Sequence, residues 1–286
     1  MTPFALGLVL ASAVAHATWN LLAKRVEGGV VFLWLIFVLT AALWAPVALV
    51  VLLLTRPALS LTTLGLIAGT AALNTLYFAL LTAGYRAGDL SLVYPLARAT
   101  GPLLATVAAI TLFGERPTAL ALAGALAIVA GALVLTGDPR ALRARGAGRA
   151  ALFAIATGVV IAAYTLWDKQ AVSTFAIPPV VYDWGRNFGQ VVLISPLALP
   201  RRADIGRHWS DHRMEIVGIA VLGPLAYILV LTALTMSPVS YVAPAREIGI
   251  LIGAVMGTRL LGEGDTARRV GGAAAMVVGV VALALG

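Results

Sequence analysis

Apolar side chains run through this chain in blocks of about twenty residues, the length a helix needs to cross hydrocarbon at about 1.5 Å per residue. Charged or Pro/Gly-rich breaks delimit ten such blocks: 4–23, 30–54, 61–82, 90–113, 118–136, 150–167, 180–199, 215–235, 238–261 and 267–285. The blocks lack period-two alternation and are too long for strands. Leu and Ala dominate them, and both are good helix formers. The pattern predicts an all-α integral membrane protein of ten transmembrane helices. The first block has a cleavable-looking Ala13-Val14-Ala15, but Met1-Thr2-Pro3-Phe4 carries no Lys or Arg, so it reads as a first span rather than a removable leader. Most connections are turn-length, whereas 137–149 and 200–214 are longer and polar.

The two halves resemble each other. Ser91-Leu-Val-Tyr94-Pro95-Leu-Ala-Arg98 returns as Ser240-Tyr-Val-Ala-Pro244-Ala-Arg246-Glu247, with the prolines 149 residues apart. Leu112-Phe-Gly-Glu115 returns as Leu260-Leu-Gly-Glu263, Trp19-Asn20 as Trp167-Asp168, and Thr118 as Thr266, each 148 residues on. Gly124 and Gly131 match Gly272 and Gly279 at the same offset, and Tyr77 and Thr82 match Tyr227 and Thr232 at 150. The organisation expected is a first repeat over 1–136 (spans 1–5), a linker over 137–149 and a second repeat over 150–286 (spans 6–10). Five spans is an odd number, so the second copy enters the membrane from the opposite side. The result is a five-plus-five inverted repeat, the architecture of many alternating-access carriers.

Composition agrees: 61% of the residues are hydrophobic, 11% are charged, and mean hydropathy is +0.98, whereas soluble domains run near 25% charged. Lipid is the expected solvent. The net charge of +8 would suit nucleic acid, but the basic residues sit in the gaps between spans, where they set topology; no nucleic-acid partner is expected. Lys24, Arg25, Arg86, Arg268, Arg269 and four Arg in each long connection fall on one side, against Arg56, Arg116 and Lys169 on the other. The positive-inside rule makes the first side cytoplasmic and puts both termini outside. There is no cysteine, no phosphate-binding glycine loop, no HExxH and no aspartate-rich box, and three scattered His build no metal site. Neither a cofactor nor a metal is expected, and enzymatic activity is not.

A charge at the bilayer centre costs at least about 2.5–3.5 kcal/mol on insertion scales, so intramembrane charges must be paired or wet. Arg98 in span 4 and Arg246 and Glu247 in span 9 lie at midplane depth, each just after a proline. Pro95 and Pro244 remove ladder N–H groups and clash one turn back, predicting broken helices beside a cavity in both halves. The alternative is that Arg98 and Glu247 simply staple the two spans together. Span 7 carries Tyr182, Asp183, Trp184, Arg186, Asn187 and Gln190; Tyr182, Arg186 and Gln190 with Asp183 and Asn187 form one broad polar face, read either as cavity lining or as an interfacial belt. In span 1, His16, Trp19 and Asn20 share a face, and Tyr77, Asn74 and Tyr227 are further lining candidates. Asp168-Lys169 reads as a boundary at the end of span 6. The paired glycines of spans 5 and 10, and Gly253-x-x-x-Gly257, read as close helix packing that also leaves room for a homodimer.

The ten spans, the five-plus-five duplication, the proline in the fourth helix of each repeat and the Gly-Glu closing it resemble the EamA-type branch of the drug/metabolite transporter superfamily. The stretch Gly88-Asp-Leu-Ser-Leu-Val-Tyr94-Pro95-Leu-Ala-Arg98 carries most of the likeness. The resemblance implies a carrier of small organic solutes in a bacterial-type inner membrane, working by exchange or ion coupling, and leaves the solute open. The second copy has Pro238 and Ala243 where the first has Asp89 and Tyr94, so any role of those two is one-sided. The excess of midplane Arg favours an amino acid or related anionic or zwitterionic metabolite, with Arg98, Tyr94, Arg246 and Glu247 contacting or gating it, and Glu247 or Asp183 as candidate proton carriers. The rival readings are an exporter of aromatic or cationic drug-like compounds, caged by Trp and Tyr, and a membrane-embedded lipid-handling enzyme.

Overall fold

The computed structural model describes residues 1–26, 28–58, 60–136, 147–261 and 266–286. Its elements in chain order are α1 (Pro3–Ala23), α2 (Val30–Thr55), α3 (Leu61–Ala87), α4 (Leu90–Leu112), α5 (Ala119–Thr136), α6 (Ala147–Lys169), α7 (Pro179–Ala198), α8 (Ala203–Met236), α9 (Val239–Ala245), α10 (Ile248–Leu261) and α11 (Thr266–Leu285). No strand occurs among the described residues. Hydroxyl caps start three helices: Thr2, Ser60 and Thr118 accept from the backbone N–H of Ala5, Thr63 and Ala121 at 3.1–3.2 Å, satisfying donors that lipid would leave bare. Among the described residues six helices are long and apolar enough to cross a membrane, and Ala119–Leu135 and Val270–Leu285 are shorter apolar ones. The polar face of α7 dilutes its hydropathy, and the ninth predicted span is divided into α9 and α10.

The surface is apolar and the interior is small or polar. Leu54 and Leu61 are 80% and 87% exposed, while α1 turns Ala5, Ala13, Ala15 and Ala17 inward. In hydrocarbon, burying Leu gains little, so helices associate through close packing of small residues. The helices α5 and α11 show this most directly. A Cβ on Gly124 would stand 2.6 Å from the Gly279 carbonyl oxygen, and one on Gly279 would stand 2.6 Å from that of Gly124. Gly131 and Gly272 repeat the reciprocal contact one turn-pair away. Around this seam α4 and α3 pack on α6, α8 and α10 on α1, and α2 on α7. Gly253 of α10 approaches Ala17 of α1, so that glycine serves packing within the chain.

Three expectations need correction. The 200–214 segment is not a plain connection: a turn at Leu199–Arg201 leads into α8, which begins at Ala203 and bends at His212 (φ −133°, ψ 24°). Charged residues hide such an amphipathic helix from a hydropathy reading. The third span extends to Ala87 rather than 82. Finally, α4 runs unbroken through both Pro95 and Pro102, and the backbone opens only in the second half, at Arg246-Glu247. Pro95 and Pro244 are each the sixth residue of their helix, so proline alone does not decide the break. At the opened site the N–H groups of Glu247, Gly249 and Ile250 reach back only three residues, to Pro244, Arg246 and Glu247, at 2.9–3.2 Å. The tightened turn keeps those donors satisfied. Glu263 and its Gly262 neighbour lie outside the described residues, as do residues 137–146 of the linker.

Candidate functional site

The two halves meet around a central cavity of about 190 Å³. Nine of the twelve predicted contact residues line it: His16, Trp19 and Asn20 from α1, Tyr77 from α3, Tyr94 and Arg98 from α4, Arg186 from α7, Tyr227 from α8, and Arg246 at the α9–α10 break. Asn74 and Asn187 join them. On α1 the i, i+3, i+4 spacing does what it predicts: His16 and Trp19 meet edge to face with ring centres 5.0 Å apart, and the Asn20 amide donates to the His16 carbonyl at 2.8 Å.

Three guanidinium groups reach this cavity in three different states. Arg98 approaches Glu247 with Nε 2.9 Å from Oε2; the pair is buried, and its angles lie outside hydrogen-bond geometry, so the contact is chiefly ionic. Arg186 is held by its own helix, donating from Nε to Asp183 and from Nη1 to Gln190, both at 3.0 Å. The other Asp183 oxygen accepts from Asn187 at 3.0 Å. Arg246 has no ion-pair partner among the described residues. It rests over the Tyr227 ring at 5.7 Å from the centre, while Arg186 stands over the same ring at 4.5 Å. Tyr227 is thus a shared π platform for two cations.

Three predicted residues do not line the central cavity. Tyr182 and Asp183 are buried behind it, each about 1% exposed or less, because the polar face of α7 is turned partly into protein rather than wholly toward the void. Glu247 sits beside a side pocket of about 10 Å³ shared with Arg98 and Arg246. The interfacial-belt alternative for α7 does not fit this burial. Pro95 and Pro244 shape the helices without touching the void.

Asp168, at the end of the sixth apolar block, is no surface boundary: it is 1% exposed. Past Lys169 the helix continues as one wide turn over Gln170–Thr174, which carries Asp168 inside. The carboxylate accepts from Thr70 at 2.8 Å, from Tyr182 at 2.7 Å, and from Tyr227 on its other oxygen. The signal that finds it is the repeat: it matches Asn20, which lines the cavity.

The cavity extends to Ala23, Phe32 and Leu33, at the turn joining α1 and α2. Near the start of α9, two charged side chains bind backbone groups at helix ends. Glu115 accepts from the first two N–H groups of α9, those of Val239 and Ser240, at 2.7 and 2.9 Å. Lys169 donates to the Leu234 and Ser237 carbonyls at 2.7 and 3.1 Å. Carboxylate on a helix N-terminus and ammonium on a C-terminus both complement the helix dipole.

Comparison with known proteins agrees with this picture. The EamA-like transporter family profile matches residues 148–285. No curated protein matches the chain in sequence. A crystal structure of another protein superposes with a TM-score of 0.76 at 16% identity, covering 100% of this chain and 98% of that one; the likeness is one of fold.

Proposed function

We propose, on the match of residues 148–285 to the EamA-like transporter family, that this chain is a secondary carrier of the drug/metabolite transporter type, moving a small anionic or zwitterionic metabolite, such as an amino acid, across a bacterial-type inner membrane. The observation that carries the reading is Arg246: a guanidinium at the edge of a central cavity, beside an opened helix, with no ion-pair partner among the described residues. Arg246 is half-buried, and a solute carboxylate can pair with it through a charge-assisted contact. Cavity size supports a small solute, since about 190 Å³ falls below the roughly 300–1,000 Å³ of drug-sized sites.

Alternating access by a ten-span inverted repeat is part of the proposal. Its support is the exchange symmetry of the packing. Helix α1 meets α8 and α10 as α6 meets α3 and α4, whereas α2 and α7, and α5 and α11, pair with each other. That is what a two-fold axis in the membrane plane imposes. The state described opens toward the α1–α2 turn, the basic side, and hence toward the cytoplasm. The chain has no cysteine, so a single Leu33→Cys is a clean reporter. It is expected to react with an impermeant maleimide added from the cytoplasmic face, and reaction from the outer face alone reverses the orientation.

The solute class is tested by melting curves of purified protein with L-alanine, L-glutamate, pyruvate, lactate and tetraphenylphosphonium. A ligand that binds the folded state raises the midpoint, by about 2.7 kcal/mol of stability at a hundredfold excess over Kd. Stabilisation by carboxylates is expected. Stabilisation by the aromatic cation alone would favour the exporter of cationic compounds.

A further inference from the structure

Three carboxylates are buried among the described residues: Asp168, Asp183 and Glu247. Asp183 has Arg186 and Glu247 has Arg98, so a proton on either would strip a buried guanidinium of its partner. Among the described residues Asp168 has no cation within ion-pair distance; its partners are the hydroxyls of Thr70, Tyr182 and Tyr227. We propose that Asp168 is the proton-binding site of this protein, and that Tyr227 connects it to the solute.

Hydroxyl partners suit a group that must exist both charged and neutral. Each is a donor to the carboxylate, and each can turn to accept from a carboxylic acid. When hydronium gives a proton to the Asp168 oxygen facing Tyr227 and leaves as water, that tyrosine changes from donor to acceptor. Its hydroxyl hydrogen, still bonded to the phenol oxygen, then turns toward another acceptor, and Tyr227 lines the cavity. The same ring carries Arg186 and Arg246. The charge count points the same way. Arg98, Arg186 and Arg246 are matched by Glu247, Asp183 and Asp168, so the site is balanced when Asp168 is ionised. One added proton leaves one positive charge in excess, which a monoanionic solute neutralises. Proton and carboxylate therefore favour each other's binding, in a ratio of one to one.

The charged and titratable groups around Asp168 are Tyr182, Asp183 and Arg186 of α7 and Tyr227 of α8, with Arg246 reaching the Tyr227 ring from the α9–α10 break. On its own helix Tyr164 and Lys169 are nearest in sequence, with Lys169 turned to the Leu234 and Ser237 carbonyls. From α3 the direct contact, Thr70, does not titrate.

Infrared difference spectra of the solute-free protein test the site without any transport assay. Acidification is expected to raise a protonated-carboxyl band that shifts when the protein is made with ¹³C-labelled aspartate. The band should vanish in Asp168→Asn and persist in Asp183→Asn and Glu247→Gln. In Tyr227→Phe, which keeps the ring, it should persist at a shifted frequency while an accompanying tyrosine C–O change is lost. A band insensitive to aspartate labelling, or one untouched in Tyr227→Phe, overturns the site, so the conclusion stands even where Asp168→Asn fails to fold. The coupling rests on the carrier reading and has its own arm: lactate and pyruvate should stabilise wild-type protein more on the acidic side of the infrared titration, and equally on both sides in Asp168→Asn. Equal stabilisation of the wild type on both sides overturns the coupling. Should no carboxylate bind, the carrier reading fails and the infrared titration still decides the proton site.

Discussion

Arg246→Ala is expected to abolish solute binding and transport while the protein still inserts and folds. Among the described residues the side chain makes no ion pair that would be orphaned by its removal, and its contact with the Tyr227 ring, at 5.7 Å, is a loose one. Losing a charge-assisted contact to a buried carboxylate costs about 2–5 kcal/mol, so affinity for the solute should fall at least about thirtyfold. Arg98→Ala is a different experiment, because it leaves Glu247 buried and uncompensated and so changes stability as well as binding. The check is a melting curve plus carboxylate binding by purified Arg246→Ala. Wild-type affinity in that variant would remove Arg246 from the site and with it the argument for an anionic solute.

The second large effect is structural. Gly131→Val is expected to unseat α5 from α11 and lower the yield of folded protein sharply. A Cβ at 131 would lie 2.6 Å from the Gly272 carbonyl oxygen and 3.0 Å from the Met276 nitrogen. Backbone on both sides cannot rotate away as a side chain can, so the helices must separate along the seam. Overpacking of this kind costs about 1–3 kcal/mol or more, and in lipid the lost van der Waals contact is not recovered by a hydrophobic term. Gly65→Ala, where nothing lies within 4 Å, is the matched control. Equal melting points for the two variants would show that the α5–α11 contact is not what holds the halves together.

Much of the site was legible because charge in hydrocarbon is expensive wherever it occurs. That cost alone singles out Arg98, Arg246, Glu247 and the face of α7, and the duplication places the first three at one depth. It also found the alternating glycines, whose role as a close-packed seam the reciprocal contacts bear out. What was missed has a common cause. Asp168 stands where the apolar block ends, yet the wide turn at Gln170–Thr174 keeps the helix going and takes it inside. The start of α8 is charged, and a hydropathy reading sees charge as a gap even when the backbone is helical.

The chain by itself determined its helical class and its apolar, membrane-spanning character, because both follow from transfer free energies and helix propensities summed along the sequence. Only the tertiary structure decided which arginine lacks a carboxylate, which of two equivalent prolines interrupts its helix, and which acid is surrounded by hydroxyls instead of cations. Those outcomes depend on distances of about 3 Å between atoms on different helices, and no pattern along one strand of residues encodes such a distance.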